Sequence, residues 1–535
     1  MMKLSMIAIG AVFSLFSFSA QAVNVSQDAA GQVLLYPYYN VNQGNVTFVS
    51  VTNATNVSKA VKVRFREGVG GERVFDFMVY LPPRDVWVGA VARRSGAVRL
   101  SVPVDTTCTV PDTATLTATD FSSARIDSAY DPDDDGMQSA DEVLERLSEG
   151  HIELIELAEL PYTAGASDVA HAIKHDRFAN PVAPIDCSVA VAFSSAAGLG
   201  AILDAGEVTA GGFTQDFQSP GGGLFGSAAI FNAASGVYFP YNATALKEFA
   251  ANPVWWPQND EVFTRIEGVA TDGEDSAGNA ISNYRTADNG STVPSTGGTL
   301  NRDLPDLSTP SMAEVTADSS AYTAFTHVAA SGAQAINSGS FGGSVPNAQH
   351  DKASAVGAAL TANTIRGEYL TTGDYTTDWV ITLPTRYAKV SDSGVSAPFS
   401  VLEVAVSGQA CHGVSFDHWN RKENKNSGDI NFLVPPLPAP TFCYAANVTS
   451  LNENREYSFA LSSKAIKRDV PLEFADGWSI MGLSAHTVTP TVLNAGDASG
   501  DVVGLPVIGF SAVADMVSGT ERGGVFPFRV LADEQ

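Results

Sequence analysis

The chain has 535 residues, 44% of them hydrophobic, with 58 Asp and Glu against 31 Lys and Arg and a net charge of −27. That sign excludes nucleic acid and anionic lipid as natural partners, since both repel an acidic surface, and it favours cations. The length exceeds what one ordinary core organises, so at least two domains are expected.

At the N-terminus Lys3 precedes an apolar run, Leu4 to Phe18, and Ala20-Gln21-Ala22 offers the small-x-small pattern of a cleavage site. Residues 1–22 therefore read as a signal peptide, with the alternative of an uncleaved anchor, and the mature chain starts at Val23. No other stretch is long and apolar enough to cross a bilayer as a helix, so no transmembrane segment is expected after cleavage. No lipobox cysteine follows the leader. The expected location is outside the cytoplasm: periplasmic, secreted or bound at the cell surface.

The next region, 23–230, reads as a β-sandwich-like domain. Val33 to Tyr36, Val46 to Thr52, Val61 to Arg66, Phe75 to Tyr80 and Asp85 to Val88 are short strand-like runs separated by Asn-, Gly- and Pro-rich turns. In the third run apolar and basic residues alternate, placing Val61, Val63 and Phe65 on one face and Lys62, Arg64 and Arg66 on the other.

Within this domain, Asp131-Pro132-Asp133-Asp134-Asp135-Gly136-Met137-Gln138-Ser139-Ala140-Asp141-Glu142 resembles the twelve-residue EF-hand loop. Calcium wants six to eight hard oxygen ligands. Asp131, Asp133 and Asp135 fall at loop positions one, three and five, the Met137 carbonyl at seven, Ser139 at nine and the bidentate Glu142 at twelve; Gly136 allows the turn at six. Val143 to Leu147 reads as the outgoing helix, ended by Gly150. Gln138 replaces the apolar residue that pairs two hands, and Ser122 to Tyr130 makes a poor incoming helix. A lone, structural calcium loop is expected.

His171 and His175 lie four apart, the spacing of a metal pair on one helical turn, but no third ligand is apparent, and surface histidines on a short helix are the favoured reading. Region 231–371 is rich in Gly, Ser, Thr and Asn, with one helix expected over Ala353 to Ile365, where apolar residues recur at helical spacing. Trp255-Trp256 reads either as a sugar-stacking platform or, preferably, as a cap on a core. Region 372–535 returns to strands as a C-terminal β domain, clearest at Asp378 to Leu383, Phe399 to Val406, Gly477 to Met481 and Phe526 to Val530.

Four cysteines allow three pairings; Cys108–Cys187 and Cys411–Cys443 are preferred because each pair stays within one region. There is no GxSxG, HExxH or phosphate loop, which counts against an enzyme without excluding one.

Several phrases resemble a group of uncharacterised exported proteins of Gram-negative bacteria: Gly31 to Tyr39, Lys59 to Glu67, Gly150 to Glu156, Thr377 to Val380 and Leu383 to Thr385. The resemblance implies export and a β fold, and no activity. The reading is therefore a mainly β, multi-domain protein with immunoglobulin-like or other sandwich domains, a few short helices and long Gly/Ser/Thr-rich loops. Its expected role is an exported or cell-surface structural or interaction protein with a structural Ca2+ site, meeting a surface protein or polysaccharide. The alternatives are a secreted hydrolase with a structural calcium ion and a carbohydrate-binding protein.

Overall fold

The computed structural model describes the chain between residues 23 and 531, apart from short gaps and the longer stretches 127–138, 195–207, 268–305, 308–323, 336–352, 426–440 and 484–503. The leader and Trp255-Trp256 lie outside the described residues. Among those described, the chain is mainly β and multi-domain, with sandwich architecture.

The first unit comprises β1 (Asn24–Val25), β2 (Val33–Asn40), β3 (Asn45–Asn53), β4 (Ser58–Glu67), β5 (Arg73–Leu81), β6 (Val86–Arg94), β7 (Ala97–Ser101), β8 (Thr109–Val110), α1 (Thr113–Ala118), α2 (Ala140–Leu147), β9 (Glu149–Leu160), α3 (Val169–Ala172), β10 (His175–Asp176), β11 (Ala183–Pro184), α4 (Cys187–Phe193), β12 (Val208–Thr209), β13 (Gly212–Phe213), β14 (Leu224–Asn232), β15 (Tyr238–Asn242) and β16 (Thr244–Lys247). Seven of these strands form one sheet in the order β1-β16-β2-β9-β4-β5-β8, and five form a second in the order β15-β14-β3-β6-β7. The alternation works as the pleat requires. Val61, Val63 and Phe65 of β4 meet Val49, Val51, Trp87 and Ile230 of the second sheet in one core. Strands β15 and β16 follow residue 230 and complete the same two sheets, so this unit runs to 247.

The far face of the larger sheet carries a second apolar layer. Leu35, Tyr80 and Leu157 pack there against α3, α4 and the helix at 353–360. That helix is shorter than the apolar spacing predicts: Thr361–Ala362 and Thr364–Leu370 are strands, and Ile365 is buried in a sheet core.

The C-terminal unit is also a sandwich. Its four-stranded sheet runs Ser415–Asn420, Asp476–Gly482, Thr364–Leu370, Arg529–Leu531; its five-stranded sheet runs Lys467–Val470, Ala446–Leu451, Tyr375–Thr382, Ile508–Val517, Thr520–Pro527. Ile365, Tyr369, Trp379, Ile381 and Met481 fill the space between them. Of Phe399 to Val406, Glu403–Val404 is described as strand. The other face of the five-stranded sheet, with Val380, Val448, Phe510 and Ala512, joins the first unit's core. There Tyr241 stacks on Phe510 with ring centroids 4.6 Å apart. The two sandwiches therefore share one hydrophobic interior.

Both disulfides form as expected, Cys108–Cys187 and Cys411–Cys443. No helix among the described residues is long and apolar enough to cross a membrane.

Candidate functional site

The calcium-loop residues Asp131, Asp133, Asp135 and Met137 lie outside the described residues, and the structure takes up the motif at Ser139. Ser139 is the N-cap of α2, accepting the Glu142 amide at 3.3 Å, while the Glu142 carboxylate accepts the Ser139 amide at 2.7 Å. This reciprocal capping box satisfies two of the orphan donors at a helix start. Asp141 and Glu142 in the first turn suit the positive end of the helix.

What α2 joins is the centre of the molecule. Its last turn buries Arg146, whose guanidinium meets Glu67 through Nε at 3.2 Å and Nη2 at 3.1 Å, both side chains fully buried. Glu67 sits at the end of β4, in the turn Glu67-Gly68-Val69-Gly70-Gly71. Its carboxylate accepts the amides of Val69, Gly70, Gly71 and Glu72 at 2.7–3.1 Å. Burial alone would push this carboxyl up; the Arg146 charge and the amide donors outweigh it and hold it below the usual range. The turn is stitched to the C-terminal unit by Ala445 and Ala446 amides donating to the Val69 and Gly68 carbonyls, each 2.8 Å. Gly71 has φ +86°, and a Cβ there would stand 3.2 Å from both Ala445 and Tyr387 side chains.

Two more acids on this segment reach the C-terminal unit. Glu145 pairs with Lys464. Glu149, fully buried at the start of β9, accepts Tyr38 Oη at 2.7 Å, Ser463 Oγ at 2.8 Å, and the Lys464 and Ala465 amides at 3.0 and 2.7 Å. Burial pushes its carboxyl up against these donors. Gly150 does not end the helix as the sequence predicts. Ser148 caps it, and Gly150 lies within β9, where a Cβ would fall 1.9 Å from the Arg66 carbonyl oxygen. Only glycine lets β4 and β9 approach so closely.

Beside this junction, the four cations of β4 are buried; Lys59 meets Glu156 at 2.6 Å and Glu159 at 2.7 Å. Lys62 Nζ lies 3.3 Å from Asp76, Arg64 Nη2 3.0 Å from the same carboxylate, and Arg66 Nε 2.8 Å from Glu153; Asp306 lies 3.5 Å from Arg66 and 3.8 Å from Arg64. The Arg66 guanidinium covers the Tyr387 ring at 3.4 Å. Arg73 also reaches Asp76, at 3.3 Å, so that carboxylate serves three cations. Burial lowers Lys62 to about 8 against the pull of Asp76. His151 stands 3.8 Å from Glu153, beyond hydrogen-bond reach.

Catalytic arrangements do not emerge among the described residues. His175 meets Thr106, His418 accepts the Glu473 amide and His151 approaches Glu153; none meets a serine or cysteine. His171 and His175 are not one helical turn apart. α3 ends at Ala172, and His175 begins β10. Among the described residues no three His, Cys, Asp or Glu side chains gather as a metal site. Trp419 and Trp478 are stacked at 4.3 Å with planes 9° apart, and Lys425 covers Trp419 at 5.3 Å. Their faces are turned to one another rather than laid out as a platform for sugar.

The sequence analysis missed the Glu67 clasp and the Glu149 hub. Their one visible signal is an acid followed by Gly-x-Gly-Gly at 67–71. No family model, curated protein or solved structure matches this chain.

Proposed function

We propose that the chain is an exported or cell-surface structural and interaction protein, in which a calcium ion held by residues 131–142 fastens the start of α2 to the junction of two β-sandwiches. The observation that carries this reading is the set of bonds from α2 and its successor to both units: Arg146 to Glu67, Glu145 to Lys464, and Glu149 to Tyr38 and Ser463. Order imposed at the helix start is thereby passed to the joint that holds the molecule together.

The donor set fits calcium: three Asp carboxylates, one Glu carboxylate, a backbone carbonyl and a hydroxyl are all hard oxygens. With no ion these carboxylates repel one another; a bound cation reverses the sign. Affinity should fall on the order of 10⁻⁴–10⁻³ M, the range of extracellular modules. With a dissociation constant of about 10⁻⁴ M, 10 mM calcium would stabilise the fold by about 2.7 kcal/mol.

The test is thermal unfolding and protease resistance in chelator and in millimolar calcium, for wild type and Glu142→Gln. Glutamine still accepts the Ser139 amide, so the variant removes a bidentate anion while keeping the helix cap. The expected result is equal melting without calcium and a calcium-dependent rise confined to the wild type. No rise in the wild type, together with no heat of binding by calorimetry, overturns the reading.

A further inference from the structure

One lysine of the first sandwich is held by two acids. Lys59, the second residue of β4, has its Nζ 2.6 Å from Glu156 Oε1 and 2.7 Å from Glu159 Oε1. Both acids belong to β9, three residues apart, and in a regular strand that spacing would put them on opposite faces. The register shifts here: Ala60 pairs with Ala158 and Val61 with Glu156, so Leu157 is passed over. This bulge turns both carboxylates toward the same lysine. The surroundings are dry. The side chains of Lys59 and Glu156 have no exposure, and Ala60, Val61, Leu157 and Ala158 beside them are fully buried, while Glu159 is 17% exposed and so reaches solvent. Glu156 also accepts the Gly221 amide at Oε1, 3.1 Å, and the Gly222 amide at Oε2, 2.8 Å. Burial pushes its carboxyl up to about 7 against the pull of Lys59.

We propose that Lys59 and Glu156 condense in the folded chain to an isopeptide bond, a covalent rung between β4 and β9. Each part of the reaction has its group. With Nζ 2.6 Å from a carboxyl oxygen and a C–O length of about 1.23 Å, Nζ is at most about 3.8 Å from the Glu156 Cδ, close to the roughly 3–3.5 Å of a near-attack pair. Nζ must lose two protons and the departing oxygen must gain two. Glu159, in contact with the amine and open to solvent, carries them in turn. The first transfer frees the Nζ lone pair and leaves the Glu156 carboxyl neutral, the form a nucleophile attacks. Nζ then bonds to Cδ, and the Gly221 and Gly222 amides stabilise the oxyanion that forms. The second transfer lets the Cδ–O bond break and one water leave. An ammonium and a carboxylate become an amide and water, so atoms and charge balance with no other reactant. Two charges are costly for as long as they stay buried, whereas an amide is neutral, and loss of the water to solvent draws the condensation forward. A simple buried ion pair needs one acid; the second acid and the paired amides on Glu156 set this one apart.

The proposal depends on neither calcium nor export. The test is intact-mass spectrometry of the purified protein, reduced and denatured after circular dichroism has shown it folded, followed by peptide mapping. The expected result is a chain one water lighter than its sequence, with a branched peptide joining Lys59 to Glu156. Glu159→Gln keeps the size of the side chain and cannot carry the protons, so it should return the chain to its full sequence mass while the circular dichroism stays that of the wild type. The wild-type mass is decisive by itself, whether or not the variant folds. A folded wild type at its full sequence mass, a branch at Glu159 in place of Glu156, or a lost water without a branched peptide each overturns the proposal. A cross-link that persists in folded Glu159→Gln overturns the role given to Glu159.

Discussion

Replacing Arg146 by Met tests the clasp between α2 and the β4 turn. Methionine keeps the length of the side chain and removes its charge. Both partners are fully buried, and breaking such a pair by taking away one member costs about 3–5 kcal/mol, because the other charge stays behind uncompensated. Glu67 still accepts four backbone amides, so the lower end, about 3 kcal/mol, is expected. The pH dependence sharpens the test. In the wild type Glu67 is held below its ordinary value of 4.5, so its contribution is complete above that value and is lost as pH falls through the lower folded pKa. Without Arg146, burial is opposed by the amides and the Arg386 charge, and the folded pKa rises; protonation then relieves the variant. The gap between the two proteins should therefore narrow as pH falls from 7 to 4.5. Urea unfolding read by tryptophan fluorescence measures it, since Trp87 and Trp379 are buried in the two cores, and coincidence with far-UV circular dichroism tests whether the shared interior melts as a unit. A variant within about 1 kcal/mol of wild type at pH 7, or a gap that widens in acid, refutes the account.

His412 is pushed down to about 4 by burial and then by the charge of Arg386. Between 6.5 and 4 the unfolded chain takes up a proton that the folded chain refuses, so stability falls through that window as pH drops, by at most about 3 kcal/mol. His412→Gln should flatten the slope relative to wild type; parallel slopes would remove the basis of the claim. Cys108 and Cys187 are 79 residues apart and Cys411 and Cys443 are 32 apart, so on loop entropy their loss should cost about 4.5 and about 3.7 kcal/mol. Denaturation of the two double-serine variants reads the order, and a larger loss for the C-terminal pair contradicts it.

Alternation of apolar residues was enough to find the strands of the first unit, because Val61, Val63 and Phe65 repeat with the period of the pleat. The same text did not reveal that Lys62, Arg64 and Arg66 are internal. Asp76 faces Arg64 from the next strand, but Glu153 and Asp306 come from far along the chain, and local sequence cannot announce a counter-ion that arrives from so far away. Likewise Ala353 to Ile365 has helical spacing throughout, yet its last residues are claimed by long-range pairing, with Ile365 opposite Met481 and Val530. α2 starts at Ala140, three residues before the Val143 expected, and the capping-box spacing of Ser139 and Glu142 is the signal that marks the true start. Gly150 misled because a glycine after a helix ordinarily marks its end, whereas here it serves the close approach of a neighbouring strand. Gly221-Gly222-Gly223 looks like a hinge in the sequence, but Glu156 binds the amides of Gly221 and Gly222 and holds them against the first sheet.

The pairing of β1 with β16 gives the fold an order of completion. Asn24 and Val25 find their partners only at Lys247 and Leu246, and Thr364 to Arg366 find one of theirs only at Leu531 to Arg529. A chain made N-terminus first thus leaves an edge of the first sandwich open until residue 247 has appeared, and an edge of the second until residue 531 has. Neither sandwich can shut early behind the leading end. Each sandwich is closed by the last of its own strands to be made, and the second lacks one of its strands until almost the whole chain is available.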